Sequence, residues 1–144
     1  MGELALLFPT LARLTQTGQR VVLVAPPYRV HAPGWARAGV SLAHLQVVQA
    51  AARDALWAME QCLRSAACAA VLCWPHQADD RALRRLQVAA ETGQRLGFAF
   101  RDGKHARNPS PAALRLQLES GTRRVRVLKA RGGLAPAQPI AWAL

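Results

Sequence analysis

The stretch "AAVLCWPHQADD", residues 69–80, decides the fold class of this chain. It opens with an apolar run, Ala69–Trp74, and a proline separates that run from an acidic pair, Asp79 and Asp80. An uninterrupted apolar run of this length is typical of a strand in a parallel sheet that is covered on both faces. Asp79 is a good N-cap for a helix that continues to Thr92. The stretch therefore predicts a strand followed by a helix, which is the repeating unit of α/β folds.

The same alternation of strand and helix extends along most of the chain. Further strands are predicted at Val21–Ala25, Leu45–Val48 and 96–101, and further helices at Glu3–Gln16, 34–38 and 51–65. Strands that alternate with helices imply right-handed crossovers onto one mostly parallel sheet, with helices on both faces. One segment, "TGQR", occurs twice, at 17–20 and at 92–95, each time between a helix and a strand. We interpret it as a repeated helix-to-strand loop.

The pattern changes after a polar loop, "DGKHARNPSP". Leucines at 114, 116 and 118 alternate with polar residues, and valines at 125 and 127 alternate with arginines. This predicts an antiparallel hairpin with one buried and one polar face, turned at Ser120 and Gly121. We expect a single α/β domain over residues 1–131. The tail, 132–144, is too rich in Gly and Pro to predict an element.

The residues that catalysis requires are scarce. The third strand ends in Cys73 and Trp74, where many nucleotide-binding folds carry a magnesium-binding carboxylate. No G-x-x-x-x-G-K-[ST] phosphate loop occurs. A metal pair at Asp79 and Asp80 is an alternative to the helix cap, and a Cys73–His76 nucleophile pair lacks an orienting acid. We therefore expect no cofactor, no metal and no enzymatic activity.

The net charge indicates an acidic partner. Lys and Arg number 19 against 8 Asp and Glu, which gives a formal charge of +11. Nucleic acid or an acidic protein face fits that charge, and a compositional bias toward Arg is the alternative. The three cysteines form no C-x-x-C pair, which favours buried free thiols and a reducing cytoplasm. No signal peptide opens the chain, and no apolar run is long enough to span a membrane.

Two surfaces are candidates for partner or nucleic-acid binding. The loop "PPYRVHAPGW" places Tyr28, Arg29 and Trp35 at the carboxyl end of the sheet, where such folds keep their sites. The alternative is a loop whose aromatic residues pack locally. The second surface is a basic strip on the hairpin, with a solvated sheet face as the alternative. The strip comprises Arg115, Arg124, Arg126, Lys129 and Arg131.

Several segments resemble the ImuA family of bacterial mutagenesis cassettes. They are "VVLVAPPYRVHAPGWARAGV", "DALWAMEQCLRSAACAAVLCWP", "DDRALRRLQVAAETG" and "SPAALRLQLE" followed by "RVRVLKARGG". The resemblance implies a RecA-like fold and a non-catalytic accessory role in SOS-induced translesion DNA synthesis. Its implied partners are an ImuB-like protein and an error-prone polymerase, with RecA or single-stranded DNA as further candidates. Family members carry a first strand before the opening helix, and we expect that strand and the phosphate loop to be missing here.

The ImuA family is related to the SulA cell-division inhibitors, which provide the first alternative. They bind the tubulin-like protein FtsZ without nucleotide chemistry and typically end near the fourth strand. The additional hairpin in this chain favours the ImuA interpretation. A second alternative is a truncated or degenerate RecA-like ATPase, which a glycine-rich loop upstream of residue 1 would support.

Overall fold

The computed structural model describes residues 2–142 and contains four helices and seven strands in that range. In chain order these are α1 Gly2–Gln16, β1 Val21–Val24, α2 Ala32–Arg37, β2 Leu45–Val48, α3 Ala52–Arg64, β3 Ala70–Cys73, α4 Asp80–Gly93, β4 Leu96–Ala99, β5 Leu114–Leu118, β6 Arg124–Ala130 and β7 Ile140–Ala141. Short 3-10 turns occur at Leu42–His44 and Gly103–His105. None of the helices within 2–142 is long and apolar enough to cross a membrane.

Strands β1 to β4 form one parallel sheet in the order β2-β1-β3-β4. Alternate residues of β1 enter two separate cores, because successive side chains of a strand point to opposite faces. Val22 and Val24 pack in the core under α3 and α4, whereas Val21 and Leu23 pack in the core with α1 and α2. The predicted α/β class, a mostly parallel sheet with helices on both faces, is confirmed.

The start of α4 agrees with the prediction, and its end does not. Asp79 caps the helix, and its Oδ1 accepts a hydrogen bond of 2.8 Å from the backbone N–H of Ala82. The helix continues one residue past the predicted Thr92, so Gly93 is its last helical residue, and Gln94 takes the left-handed position with φ 53°. Glycine is required at position 93 because a methyl group there would overlap the carbonyl oxygen of Leu63.

Glu60 is a buried carboxylate on α3. Only 7% of the residue is exposed. Helix α4 packs over this side of α3, and the Glu60 carboxylate is paired with Arg85 at 3.1 Å and with Arg64 at 3.4 Å. A buried carboxylate is tolerated where cations and hydrogen bonds replace its hydration.

The C-terminal region forms a second sheet, in the order β5-β6-β7 and antiparallel throughout. The predicted hairpin is confirmed, with a register shift between Arg115 and Leu116. The tail contributes a short strand, in which Ile140 pairs with Val125 of β6. This strand was not predicted. The apolar side of this sheet is unevenly covered. Val125 is 7% exposed and Leu114 is 57% exposed.

Candidate functional site at the edges of the parallel sheet

Aromatic side chains fill the carboxyl edge of the parallel sheet. Trp74, which follows β3, stacks on Phe100, which follows β4, with ring centroids 5.1 Å apart and 19° between the ring planes. Tyr28 meets Trp74 edge-on at 6.1 Å. The Tyr28 hydroxyl donates a hydrogen bond of 3.4 Å to Glu3, and burial together with that carboxylate raises the pKa of Tyr28. These rings occupy the edge at which α/β folds bind their ligands.

The thiol at this edge is a weak nucleophile. Burial raises the pKa of Cys73 to about 11, so the nucleophilic thiolate does not form near neutral pH. Within residues 2–142, no group of three or more His, Cys, Asp or Glu could hold a metal ion. A small cleft of about 290 Å³ remains at this edge. It is lined by Trp74, Pro75, His76, Phe100, Asp102, Lys104 and His105.

The residues predicted in the loop after β1 do not form one surface in the structure. Trp35 is 4% exposed and packs edge-on against Phe8 of α1 at 5.1 Å. Its side chain lies in the core and offers almost no surface to a partner. The short helix α2 turns it inward over α1, which sequence spacing does not indicate. Tyr28 is half-buried in the aromatic cluster, and Arg29 is exposed.

Cations of the predicted basic strip hold the loop 102–113 in place. Arg115 donates hydrogen bonds to the carbonyl oxygens of His105, at 3.3 Å, and Ala106, at 3.1 Å. Lys129 donates to the carbonyl oxygen of Ser110 at 3.0 Å. Arg115 and Lys129 are partners in the β5–β6 register and are both half-buried. Their charges are therefore largely engaged inside the protein.

The other cations of the strip differ from one another. Arg126 pairs with Glu119 at 3.5 Å, and Arg131 pairs with Glu91 of α4 at 2.9 Å. Arg124 is exposed, and no residue in the 2–142 range forms an ion pair or a side-chain hydrogen bond with it. A binding role for the strip stays a prediction, and Arg124 is its most available member.

The opposite, amino edge of the sheet carries an open cleft of about 360 Å³. The two "TGQR" segments meet there, because one precedes β1 and the other precedes β4 on either side of β3. The backbone of Arg20 accepts a hydrogen bond of 2.8 Å from the N–H of Ala69, whose own carbonyl accepts one of 3.0 Å from Leu96. The cleft is lined by Gly18, Gln19, Arg20, His44, Ala66, Ala67, Cys68, Ala69 and Arg95.

The amino-edge cleft is electropositive. Two arginines and a histidine line it, and no carboxylate from residues 2–142 does. Arg20 reaches Gln46 at 3.4 Å, and Arg95 donates to the carbonyl oxygen of Ala66 at 3.2 Å. The Nε atom of Arg95 is buried and finds no acceptor within residues 2–142. The "TGQR" repeat was the signal for this site, but the sequence alone does not reveal that both arginines share one cleft.

The chain matches a known protein family. The model of the family described as "Cell division inhibitor SulA" matches residues 1–97. The chain belongs to the SulA family. The matched range includes β1, β2, β3, the first two residues of β4 and both arginines of the amino-edge cleft, and it leaves out the antiparallel sheet. The resemblance to ImuA is not confirmed, since the family that matches is its relative.

A solved structure supports the assignment of this SulA-family protein. The crystal structure of SulA from Pseudomonas aeruginosa is 29% identical in sequence and superposes with a TM-score of 0.58. The match covers 68% of this chain and 85% of that one. A search of curated proteins found no match.

Proposed function

We propose that the protein inhibits cell division by binding the tubulin-like protein FtsZ in the cytoplasm. The observation that carries this proposal is the SulA family match over residues 1–97, which includes β1, β2, β3 and the first two residues of β4. The chemistry of the site agrees with a binding role. The carboxyl edge is filled by aromatic rings, and burial raises the pKa of Cys73, its nearest nucleophile, to about 11.

The amino-edge cleft is the surface we propose for the partner. Arg20 is exposed, and the half-buried Arg95 lines the same cleft. A guanidinium binds a carboxylate in a bidentate manner more strongly than it binds water. An acidic segment of FtsZ would therefore be held at this edge, with Arg20 and Arg95 as the anchoring residues. The inhibitor acts by occupying its partner and performs no reaction.

Assembly of purified FtsZ, followed by light scattering, tests this function. Because an inhibitor that occupies its partner is consumed one for one, inhibition should rise in proportion to the protein added and saturate near equal concentrations. Inhibition by substoichiometric amounts would indicate catalysis and would contradict the proposal. Unchanged assembly at a molar excess would also reject it.

Matched variants test whether FtsZ binds at the amino-edge cleft. Arg20→Glu and Arg95→Glu should each weaken inhibition by about tenfold or more, as expected for charged hot-spot residues. Arg123→Glu makes the same charge change at an exposed residue just before β6 and should leave inhibition unchanged. Equal inhibition by all three variants would place the FtsZ contact elsewhere, with Tyr28 and Arg29 as the next residues to test.

A second candidate function is the accessory role in translesion synthesis. One observation favours it, namely that the antiparallel sheet lies entirely outside the SulA match. Under this function the second sheet binds an ImuB-like protein or single-stranded DNA, and Arg124 is an exposed cation of that sheet with no ion pair within residues 2–142. Binding of purified ImuB that Arg124→Glu abolishes, combined with no effect on FtsZ assembly, would select this function over the first.

A further inference from the structure

Trp57 lies on the outer side of α3 with 63% of its surface exposed. Tryptophan is highly buried on average, because its large ring gains more than other side chains by leaving water. The other tryptophans in the described range are covered to a greater extent, and Trp35 is only 4% exposed. Folding alone therefore does not explain why Trp57 is so exposed.

Arginines surround Trp57 at helical spacing. On α3, Arg53 precedes Trp57 by one turn and Arg64 lies two turns beyond it, and side chains at such spacings share one side of a helix. On α4, Arg81 and Arg85 form a second row with the exposed Val88. The ion pair between Glu60 of α3 and Arg85 joins the two rows at 3.1 Å.

We call these residues together the Trp57 surface. It comprises Trp57, Val88, Arg53, Arg64, Arg81, Arg84 and Arg85.

The Trp57 surface presents its cations in a fixed arrangement. The Glu60 side chain is 9% exposed and lies beneath Arg64 and Arg85, which stay 41% and 65% exposed. The buried carboxylate orients the two guanidinium groups, and their other N–H groups form no hydrogen bond within residues 2–142. Arg81 is exposed, and nothing within residues 2–142 pairs with it. Less conformational entropy is lost on binding when the donors are already held in place.

The balance of charge identifies the kind of ligand. Exposed Asp54 and Asp80 pair with Arg53 and Arg84, so five arginines and three carboxylates leave a net charge of +2. A nucleic-acid track requires a longer unopposed row of cations, and Val88 would add nothing to phosphate binding. Trp and Arg beside an apolar residue are the composition of protein hot spots.

We propose that the Trp57 surface docks an acidic protein segment that carries an apolar side chain. The apolar side chain packs on the Trp57 ring and Val88, and the carboxylates pair with Arg81 and Arg85. This surface lies on the helical face formed by α3 and α4 and shares no residue with the lining of the amino-edge cleft. The inference is therefore independent of the proposed function.

Fluorescence anisotropy with a labelled model peptide tests the proposal. The probe is a short peptide of Glu and Asp with two central phenylalanines, and its control carries alanines in place of the phenylalanines. The protein should bind the phenylalanine peptide and bind the control about tenfold more weakly. Trp57→Gln and Arg81→Glu should each weaken binding of the phenylalanine peptide about tenfold, which is the loss expected for a hot-spot residue. Trp57→Phe should retain most of the affinity because it keeps an aromatic ring.

Three results would overturn the proposal. The first is no binding of the phenylalanine peptide by the natural protein. The second is equal binding by the natural protein and a Trp57→Gln variant whose melting temperature is unchanged. The third is tighter binding of a labelled oligothymidine that also depends on Trp57, which would make this a nucleic-acid surface. Arg123→Glu is the matched charge control and should leave peptide binding unaltered.

Discussion

Gly93 of α4 lies directly against the backbone carbonyl of Leu63 in α3, at a distance that leaves no room for a Cβ atom. The two helices therefore meet backbone to backbone at the amino edge of the sheet. This contact explains why glycine occupies the last turn of α4, although the backbone there remains helical.

Gly93→Ala should destabilise the protein, because the added methyl group forces the two helices apart. Overpacking of a tight contact costs about 1–3 kcal/mol. Chemical denaturation measures the loss, and Ala67→Gly, at an exposed position nearby, controls for nonspecific effects. A free energy of unfolding within error of the natural protein would show that α3 and α4 separate readily.

Gln94→Gly should stabilise the protein. Gln94 has φ 53°, a left-handed conformation that costs a residue with a Cβ atom roughly 1 kcal/mol relative to glycine. Part of that gain is lost to the higher entropy of glycine in the unfolded chain, so we expect an increase of about 0.5 kcal/mol. Thermal unfolding of both proteins checks the sign, and a lower melting temperature for the variant would contradict it.

Substitutions of the two arginines that pair with Glu60 should lower the stability of the protein non-additively. Arg64→Ala and Arg85→Ala each leave one cation on the buried carboxylate, so each should cost about 0.5–1.5 kcal/mol. The double variant leaves the carboxylate buried without a cation and should cost more than the two losses together. Urea denaturation of the four proteins completes the cycle. Additive losses would mean that water reaches Glu60.

Stability should fall between pH 9 and pH 11, in part through Cys73. Burial raises the pKa of this thiol from 9.0 to about 11, so the unfolded chain loses the proton first. The folded state binds more protons in that window, and linkage makes stability decrease as the pH rises through it. Below pH 9 the thiol is protonated in both states and contributes no slope. Cys73→Ala should show a shallower decline over the same range in pH-dependent denaturation, and identical slopes would contradict the assignment.

Arg115→Ala should release the loop 102–113. The change removes the hydrogen bonds to the carbonyl oxygens of His105 and Ala106. Hydrogen bonds from charged groups contribute about 1.5–3 kcal/mol, so the open population should rise about tenfold. Trypsin cleavage after Lys104 and Arg107, followed by mass spectrometry, measures the opening. Arg124→Ala is the control and should be cleaved at the natural rate, whereas equal rates for all three proteins would show that Arg115 does not hold the loop.

The sequence predicted the parallel sheet because strands that are buried on both faces consist of apolar residues throughout. Every residue of β1 and β3 is buried, so each strand reads as an unbroken apolar run. The helix cap at Asp79 was predictable for a similar reason, since it depends on a hydrogen bond between residues three positions apart. The hairpin followed from alternation within β5 and β6.

The candidate site was only partly predictable. The arginines of the strip were identified from their spacing, but the acceptors that engage Arg115 and Lys129 lie in a loop with no periodic pattern. Trp35 stands in a polar, Pro-rich loop, and its burial depends on how α2 packs over Phe8. The two arginines of the amino-edge cleft are separated by 75 positions in the chain, from 20 to 95.

The sequence by itself determined the α/β class, the parallel strands, the hairpin and the lack of a phosphate loop. These features depend on local periodicity and on the residue types present. The tertiary structure alone decided that Glu60 is buried, that Gly93 meets Leu63, and that the two "TGQR" segments share one cleft. These features depend on the angle and distance between elements far apart in the chain. Such contacts arise when several helices and strands pack at once, so no single stretch of sequence records them.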